Sequence, residues 1–166
     1  MDWSAFILSL KLAAWTTALL LPLGILAGRS LARRRFSGKS WIEALVALPL
    51  VLPPTVLGYY LLLAFGGDTA LGAAYLRATG GSLVFSFEGL LFASLIFNLP
   101  FVIQPVQRAF EALPPDVREA AWVSGMSRSA TFWKIELPLA WPGILTALVL
   151  TFAHTMGEFG VVLMVG

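Results

Sequence analysis

No cysteine occurs in the 166 residues, and charge is scarce, at 12% Asp, Glu, Lys and Arg. The first absence excludes disulfides, thiolate zinc sites and cysteine-ligated iron–sulfur clusters, and leaves the redox compartment open, since a membrane bundle needs no covalent staple. The second excludes an ordinary water-soluble domain. Such a fold of about 150 residues buries only roughly 70% of the surface its unfolded chain exposes. With 58% hydrophobic residues and a mean hydropathy of +0.85, too much of the remainder would stay apolar. The one imidazole, His154, has one carboxylate near it in sequence, Glu158, and no third ligand is spaced to help, so no metal site is expected. No G-x-x-x-x-G-K-[ST] run is present, so the chain has no phosphate loop with which to hydrolyse ATP itself.

What is present is apolar sequence in membrane-length windows. About 20 residues cross a ~30 Å hydrocarbon core, and four windows meet that length: 5–27, 41–65, 89–109 and 137–157. The first is too long, and too weakly charged before its apolar run, for a cleaved signal peptide. No repeat or low-complexity segment divides the chain. The expectation is an all-α integral membrane protein, a multispanning helical bundle forming one transmembrane domain over residues 1–166.

Nine of the eleven basic residues lie in two connections: Arg29, Arg33, Arg34, Arg35 and Lys39 in one, Arg108, Arg118, Arg128 and Lys134 in the other. The positive-inside rule makes loops 28–40 and 108–137 cytoplasmic and puts the N-terminus and segment 66–88, with its lone Arg77, outside. The run RSLARRR offers a nucleic-acid or anionic-lipid patch as an alternative, but its sign and position follow from orientation alone, so it reads as a topological marker and no nucleic-acid partner is expected.

Prolines fall inside the spans: Pro22, then Pro49, Pro53 and Pro54, then Pro100 and Pro105, then Pro142. Each removes a backbone donor and bends its helix, tolerable in lipid where neighbours or a water-lined cavity satisfy the freed carbonyls. Taken together they favour kinked helices around a translocation path. Polar candidates within the spans are few. Lys11 snorkels at the outer end of its span. Asn98 and Gln104, beside the prolines of the third span, either cap freed carbonyls or line a path or gate. His154 and Glu158 share a face at i, i+4 if the helix continues, as a structural pair or as pathway groups, but Gly157 stands between them.

The most specific feature is a polar, helix-prone island, EAAWVSGMSRSATFWKIELP, over residues 119–138. Leu113, Pro114, Pro115 and Asp116 make a helix-start pattern, with proline in the first turn and an acid at the positive end of the dipole. A short helix is predicted over 115–124, with Val117, Ala120, Ala121 and Ser124 on one face and Arg118 and Glu119 partly aside. Gly125 terminates it in a left-handed conformation. Ser127 or Ser129 caps a second helix carrying Phe132, Trp133 and Ile135, and Leu137 and Pro138 admit the chain to the last span. The product is a rigid two-helix elbow.

Glu119, Ala120, Ala121, three residues, Gly125, nine residues, Ile135, one residue, Leu137 and Pro138 reproduce every fixed position of the EAA loop of ABC-importer permeases. The flanks LPLVLPPTVLGYYLL, SLIFNLPFVIQPVQRAFEALP and AHTMGEFGVVLMVG resemble the molybdate permeases of that family, with tungstate and sulfate permeases as near relatives. The resemblance covers essentially the whole chain. It implies the type I importer permease fold, four membrane spans in this chain plus a cytoplasmic coupling helix in a loop at about 110–137. It implies a multi-pass location in a bacterial or archaeal cytoplasmic membrane, with lipid on its flanks. It implies as partners two copies of an ABC ATPase, a second copy of the permease, and an extracytoplasmic molybdate-binding protein. Such a subunit is non-catalytic and binds no cofactor, ATP being used by the ATPase. Such permeases continue through at least one more span after GEFG, so the chain reads as C-terminally incomplete. Two other classes compete. A membrane-embedded enzyme would need Glu119, His154 and Glu158 to converge, although they belong to different membrane levels. A passive channel or scaffold would conduct or bind without ATP.

Overall fold

The computed structural model describes residues 3–157, apart from the side chain of Ser4. Among the described residues the regular structure is entirely helical. Helix α1 is Trp3–Arg33, α2 is Lys39–Val51, α3 is Pro54–Phe65, α4 is Ala70–Thr79, α5 is Phe87–Glu111, α6 is Pro115–Val123 and α7 is Arg128–Thr131. A π-helical turn, Phe132–Glu136, joins α7 to α8, Leu137–Met156. Helix α5 is the axis of the molecule, packing along both α1 and α8, which also pack on each other.

Among the described residues three helices are long and apolar enough to cross a membrane, Ala5–Arg33, Phe87–Glu111 and Arg128–Met156. The expected second span is two helices, Lys39–Val51 and Pro54–Phe65, bent by 108°. The cause is local. Pro53 disfavours the helical region for Leu52, which is extended at φ −79°, ψ 134°. Pro53 and Pro54 also supply no N–H to carry the ladder across. Counted as one broken span, the pair makes four crossings. The other intramembrane prolines, Pro22, Pro49, Pro100, Pro105 and Pro142, sit inside helices that continue through them.

In lipid, apolar surface alone does not drive helices together; close approach of small residues does. Gly24 and Gly28 of α1 make that approach to α5. A Cβ built on Gly24 would meet Val102 Cγ1 at 1.7 Å, and one on Gly28 would meet the Gln107 backbone nitrogen at 2.9 Å. Gly143 of α8 approaches Ala109 and the Pro105 carbonyl in the same way. Two apolar clusters result, Leu12, Leu61, Phe65, Leu83, Leu90, Ala93 and Phe97 towards one end, and Val106, Phe110, Ala140, Ile144 and Ala147 towards the arginine-rich end. The large exposed side chains, such as Trp15, Leu19, Leu23 and Leu26 down one side of α1, are what a lipid-facing surface requires.

Segment 66–88, expected only as an outward connection, contains α4. Thr69 caps it, its Oγ1 accepting from the Gly72 N–H at 3.0 Å, and Gly80 ends it in the left-handed region at φ 74°.

Candidate functional site

The polar island folds as an elbow, though not quite the one expected. Pro115 and Asp116 open α6 in its first turn as predicted. Its end is a Schellman motif. The Met126 N–H donates to the Ala121 carbonyl and the Gly125 N–H to that of Trp122, each at 3.0 Å, with Gly125 at φ 84°. Ser127, rather than Ser129, caps the next helix, its Oγ accepting from the Ala130 N–H at 3.2 Å. That helix is not a separate second arm. It runs through the π turn into α8 as one 29-residue helix, Arg128–Met156, so the elbow is a short helix hinged on the end of a membrane span. The physical reason is that the turn just before Pro138, which has no N–H to donate, is π-helical, so the proline is accommodated inside the continuing helix. The ladder widens just before it, the Leu137 N–H donating to the Phe132 carbonyl.

The faces of α6 also differ from expectation. Asp116, Glu119, Ala120 and Val123 are exposed, Val123 at 90%, and form one stripe at helical spacing. Ala121 is buried and Arg118 half-buried on the opposite side, where Val117 lines a small recess with Ile135 and Glu136. Ala120 and Ala121 thus part company, and Ser124 turns back to its own helix, donating to the Ala120 carbonyl at 2.8 Å. Ala121, Gly125 and Leu137, the last packed on the second apolar cluster, build the elbow. Glu119 and Ala120 remain exposed.

Glu136 anchors the elbow to α1. It is 2% exposed; its Oε2 accepts from Arg29 Nε at 2.8 Å and its Oε1 pairs with Arg33. The Arg29 guanidinium also lies over the Phe132 ring, 4.7 Å from its centroid. The two basic residues are inside α1, which runs past the expected limit of residue 27. On the flank of α5, Gln107 donates to Glu43 at 2.6 Å and to Glu111 at 2.8 Å, and Lys39 lies 3.5 Å from Glu111, tying α2 to the bundle.

Of the candidate pathway residues, the structure joins two. His154 Nδ1 of α8 lies 3.2 Å from Asn98 Oδ1 of α5. Since that oxygen only accepts, the pairing places the proton on Nδ1. Asn98 Nδ2 donates to the Ser94 carbonyl at 2.9 Å and to Ser94 Oγ at 3.2 Å, and Thr16 Oγ1 of α1 donates to Ser94 Oγ at 3.1 Å. The Phe101 ring stacks on His154 with centroids 4.0 Å apart. Thr16, Ser94 and Asn98 are wholly buried, so a polar chain crosses from α1 through α5 to α8 inside an apolar bundle. Gln104 does not join it; it is exposed, facing the recess lined by Glu43 and Gln107. Helix α8 ends at Met156. Glu158 lies outside the described residues, and with it the expected pair with His154. Lys11 of α1 sits 4.4 Å from the centroid of the Phe87 ring. Among the described residues no group of acids and histidine has the arrangement of a metal site.

Sequence reasoning passed over Thr16, Ser94, Glu136 and Gln107. Thr and Ser at single positions in an apolar run carry no signal of their own, and Glu136 was hidden inside the island. The Gly24-x-x-x-Gly28 spacing, a close-packing signal that the sequence does carry, was passed over as well.

Residues 21–166 match the family model described as binding-protein-dependent transport system inner membrane component. The chain is 49% identical over 165 residues to a protein of Azotobacter vinelandii named molybdenum transport system permease protein ModB, covering 99% of this chain and 73% of that protein. It is 40% identical over 160 residues to the protein of that name from Haemophilus influenzae, covering 96% and 70%. With its Escherichia coli K12 namesake the identity is 36% over 159 residues, covering 96% and 69%.

Proposed function

This chain belongs to the family of binding-protein-dependent transport system inner membrane components, and on that premise we propose that it is the permease subunit of an ATP-driven molybdate importer. As a member of this family it is a multi-pass inner-membrane transport subunit working with an ATPase and a substrate-binding protein. The cargo reading rests on the molybdenum permeases that resemble it along nearly its whole length. Two permeases pair, each engaging one of two ATPase copies, with the binding protein on the opposite side. The arginine-rich end of the bundle faces the cytoplasm and the N-terminus faces outward, as the positive-inside rule requires. The chain carries no phosphate loop, so hydrolysis occurs in the ATPase and the permease needs no cofactor of its own.

The observation that carries the coupling mechanism is the continuity of the elbow with a membrane span. The exposed stripe of α6, with Glu119 and Ala120, docks on the ATPase. Movement of α6 is transmitted across the Gly125 turn to the helix Arg128–Met156, and through Glu136 to Arg29 and Arg33 on α1. Two spans therefore follow one lever, a rigid-body transition rather than a local one. At the other end of that lever His154 meets Asn98, so the chain from Thr16 to His154 is remade as the spans move. These groups form the gate of the path. They are hydrogen-bonding side chains with no arginine or lysine among them, suited to passing a dianion without holding it, and selection of the cargo falls to the binding protein's fixed donors.

The test is uptake by vesicles containing the permease, its ATPase and its binding protein, supplied with radiolabelled molybdate, tungstate or sulfate. ATP-dependent molybdate accumulation that Glu119→Lys abolishes, with ATPase copurification reduced and membrane insertion intact, is the expected result. Accumulation of sulfate alone would reassign the cargo, and anion flux without ATP would replace the importer by a channel.

A further inference from the structure

We infer that the arginine-lined groove beneath α6 binds the phosphate headgroup of an anionic phospholipid. The groove has a volume of about 650 Å³ and lies between the last turns of α1 and the elbow, lined by Arg29, Arg33, Arg34, Arg118 and Arg128. No carboxylate lines it among the described residues. Arg29 and Arg33 are paired with Glu136, whereas Arg34, Arg118 and Arg128 form no ion pair among the described residues. Arg118 Nε is buried without a hydrogen-bond partner among the described residues. The guanidinium fork matches phosphate geometry, so arginines without a carboxylate partner that line one groove suit a phosphate.

The remaining lining decides between a lipid and a free oxyanion. Trp122 lies between two of the cations, 5.3 Å from Arg118 and 5.8 Å from Arg128. Leu26, 63% exposed on the lipid side of α1, and Phe132 make the other wall apolar. Trp133 and Trp41 are exposed at the same arginine-rich end, as interfacial aromatics are. A groove cationic at one end, apolar at the other and far larger than a bare tetrahedral anion requires fits a headgroup with the start of its acyl chains. It lies on the Arg118 side of α6, away from the stripe of Asp116, Glu119 and Val123, so lipid and ATPase engage opposite faces of one helix.

Native mass spectrometry of the full chain, released from bilayers mixing phosphatidylglycerol with phosphatidylethanolamine, tests this. Wild-type protein retains phosphatidylglycerol selectively. Arg34→Gln, at an exposed position where folding is not at stake, weakens retention about fivefold, and Arg118→Gln with Arg128→Gln about thirtyfold, on the scale of one basic residue at an anionic surface and of two. Arg35→Gln, next in sequence but outside the groove, leaves retention unchanged. Equal retention of the two lipids, an Arg35→Gln effect matching that of Arg34→Gln, or release of the lipid by millimolar inorganic phosphate or molybdate would each overturn the assignment, the last in favour of a free oxyanion.

Discussion

Arg29 Nε and Glu136 Oε2 are 2.8 Å apart although 107 residues separate them in the chain. The pair fastens the elbow to the first span where the Glu136 side chain is 3% exposed. Glu136→Gln leaves Arg29 and Arg33 facing an uncharged amide. The cost falls below the ~3–5 kcal/mol of a fully buried broken pair, at about 2 kcal/mol, because both arginines keep partial access to water. A double-mutant cycle with Arg29→Gln, read by thermal unfolding in detergent, gives a coupling above ~0.5 kcal/mol; strictly additive effects would show that the contact carries no energy.

Gly125 is held at φ 84° with open space where a Cβ would stand. Substitution there strains the backbone and crowds nothing, so Gly125→Val costs about 1–2 kcal/mol and Gly125→Asn less. The strain is concentrated at the hinge of the elbow. ATPase binding and coupled uptake fall in the order Gly, Asn, Val; a valine variant with unchanged uptake and ATPase affinity removes the hinge from the mechanism.

At the α1–α5 contact the limiting quantity is volume. Gly24→Ala drives a methyl into Val102 and destabilises the bundle by about 1–3 kcal/mol. Adding Val102→Ala, which clears the atom 1.7 Å from that position, restores most of the loss. Failure of the second change to rescue the first would point away from this packing.

His154→Phe preserves a ring against Phe101 and removes the donor to Asn98. Hydrogen bonds between membrane helices are worth about 0.6 kcal/mol and rarely above ~1.7 kcal/mol, so unfolding temperature shifts little. Transport, if the chain from Thr16 to His154 is the gate, drops at least tenfold. The converse pattern, a lower unfolding temperature with normal uptake by the folded fraction, would make the chain a structural clamp.

The apolar windows near residues 5–27, 89–109 and 137–157 were legible because about 20 apolar residues in lipid have little choice but helix. So was the Gly125 turn, because local grammar alone specifies a proline-led start and a glycine stop. The 108° break at Leu52 and Pro53 was only half visible. A proline pair says that a helix is interrupted, but the angle depends on what each half packs against. The faces of α6 were misjudged for a related reason. Periodicity places residues around a short helix without saying which side meets the bundle, and small residues at 117, 120, 121 and 124 looked equally able to do so.

The sequence by itself determined a membrane bundle, its arginine-rich end and the EAA spacing, since each depends on residue type and distance along one strand of chain. Only the tertiary structure decided that Glu136 meets Arg29 and Arg33, that His154 meets Asn98, and that arginines from α1 and the elbow line one groove. Those meetings depend on the register and rotation of α1 against α5 and α8, set by Gly24, Gly28 and Gly143 approaching neighbouring backbone and side chains. Such rotation is a property of packed surfaces, and no window of linear sequence contains it.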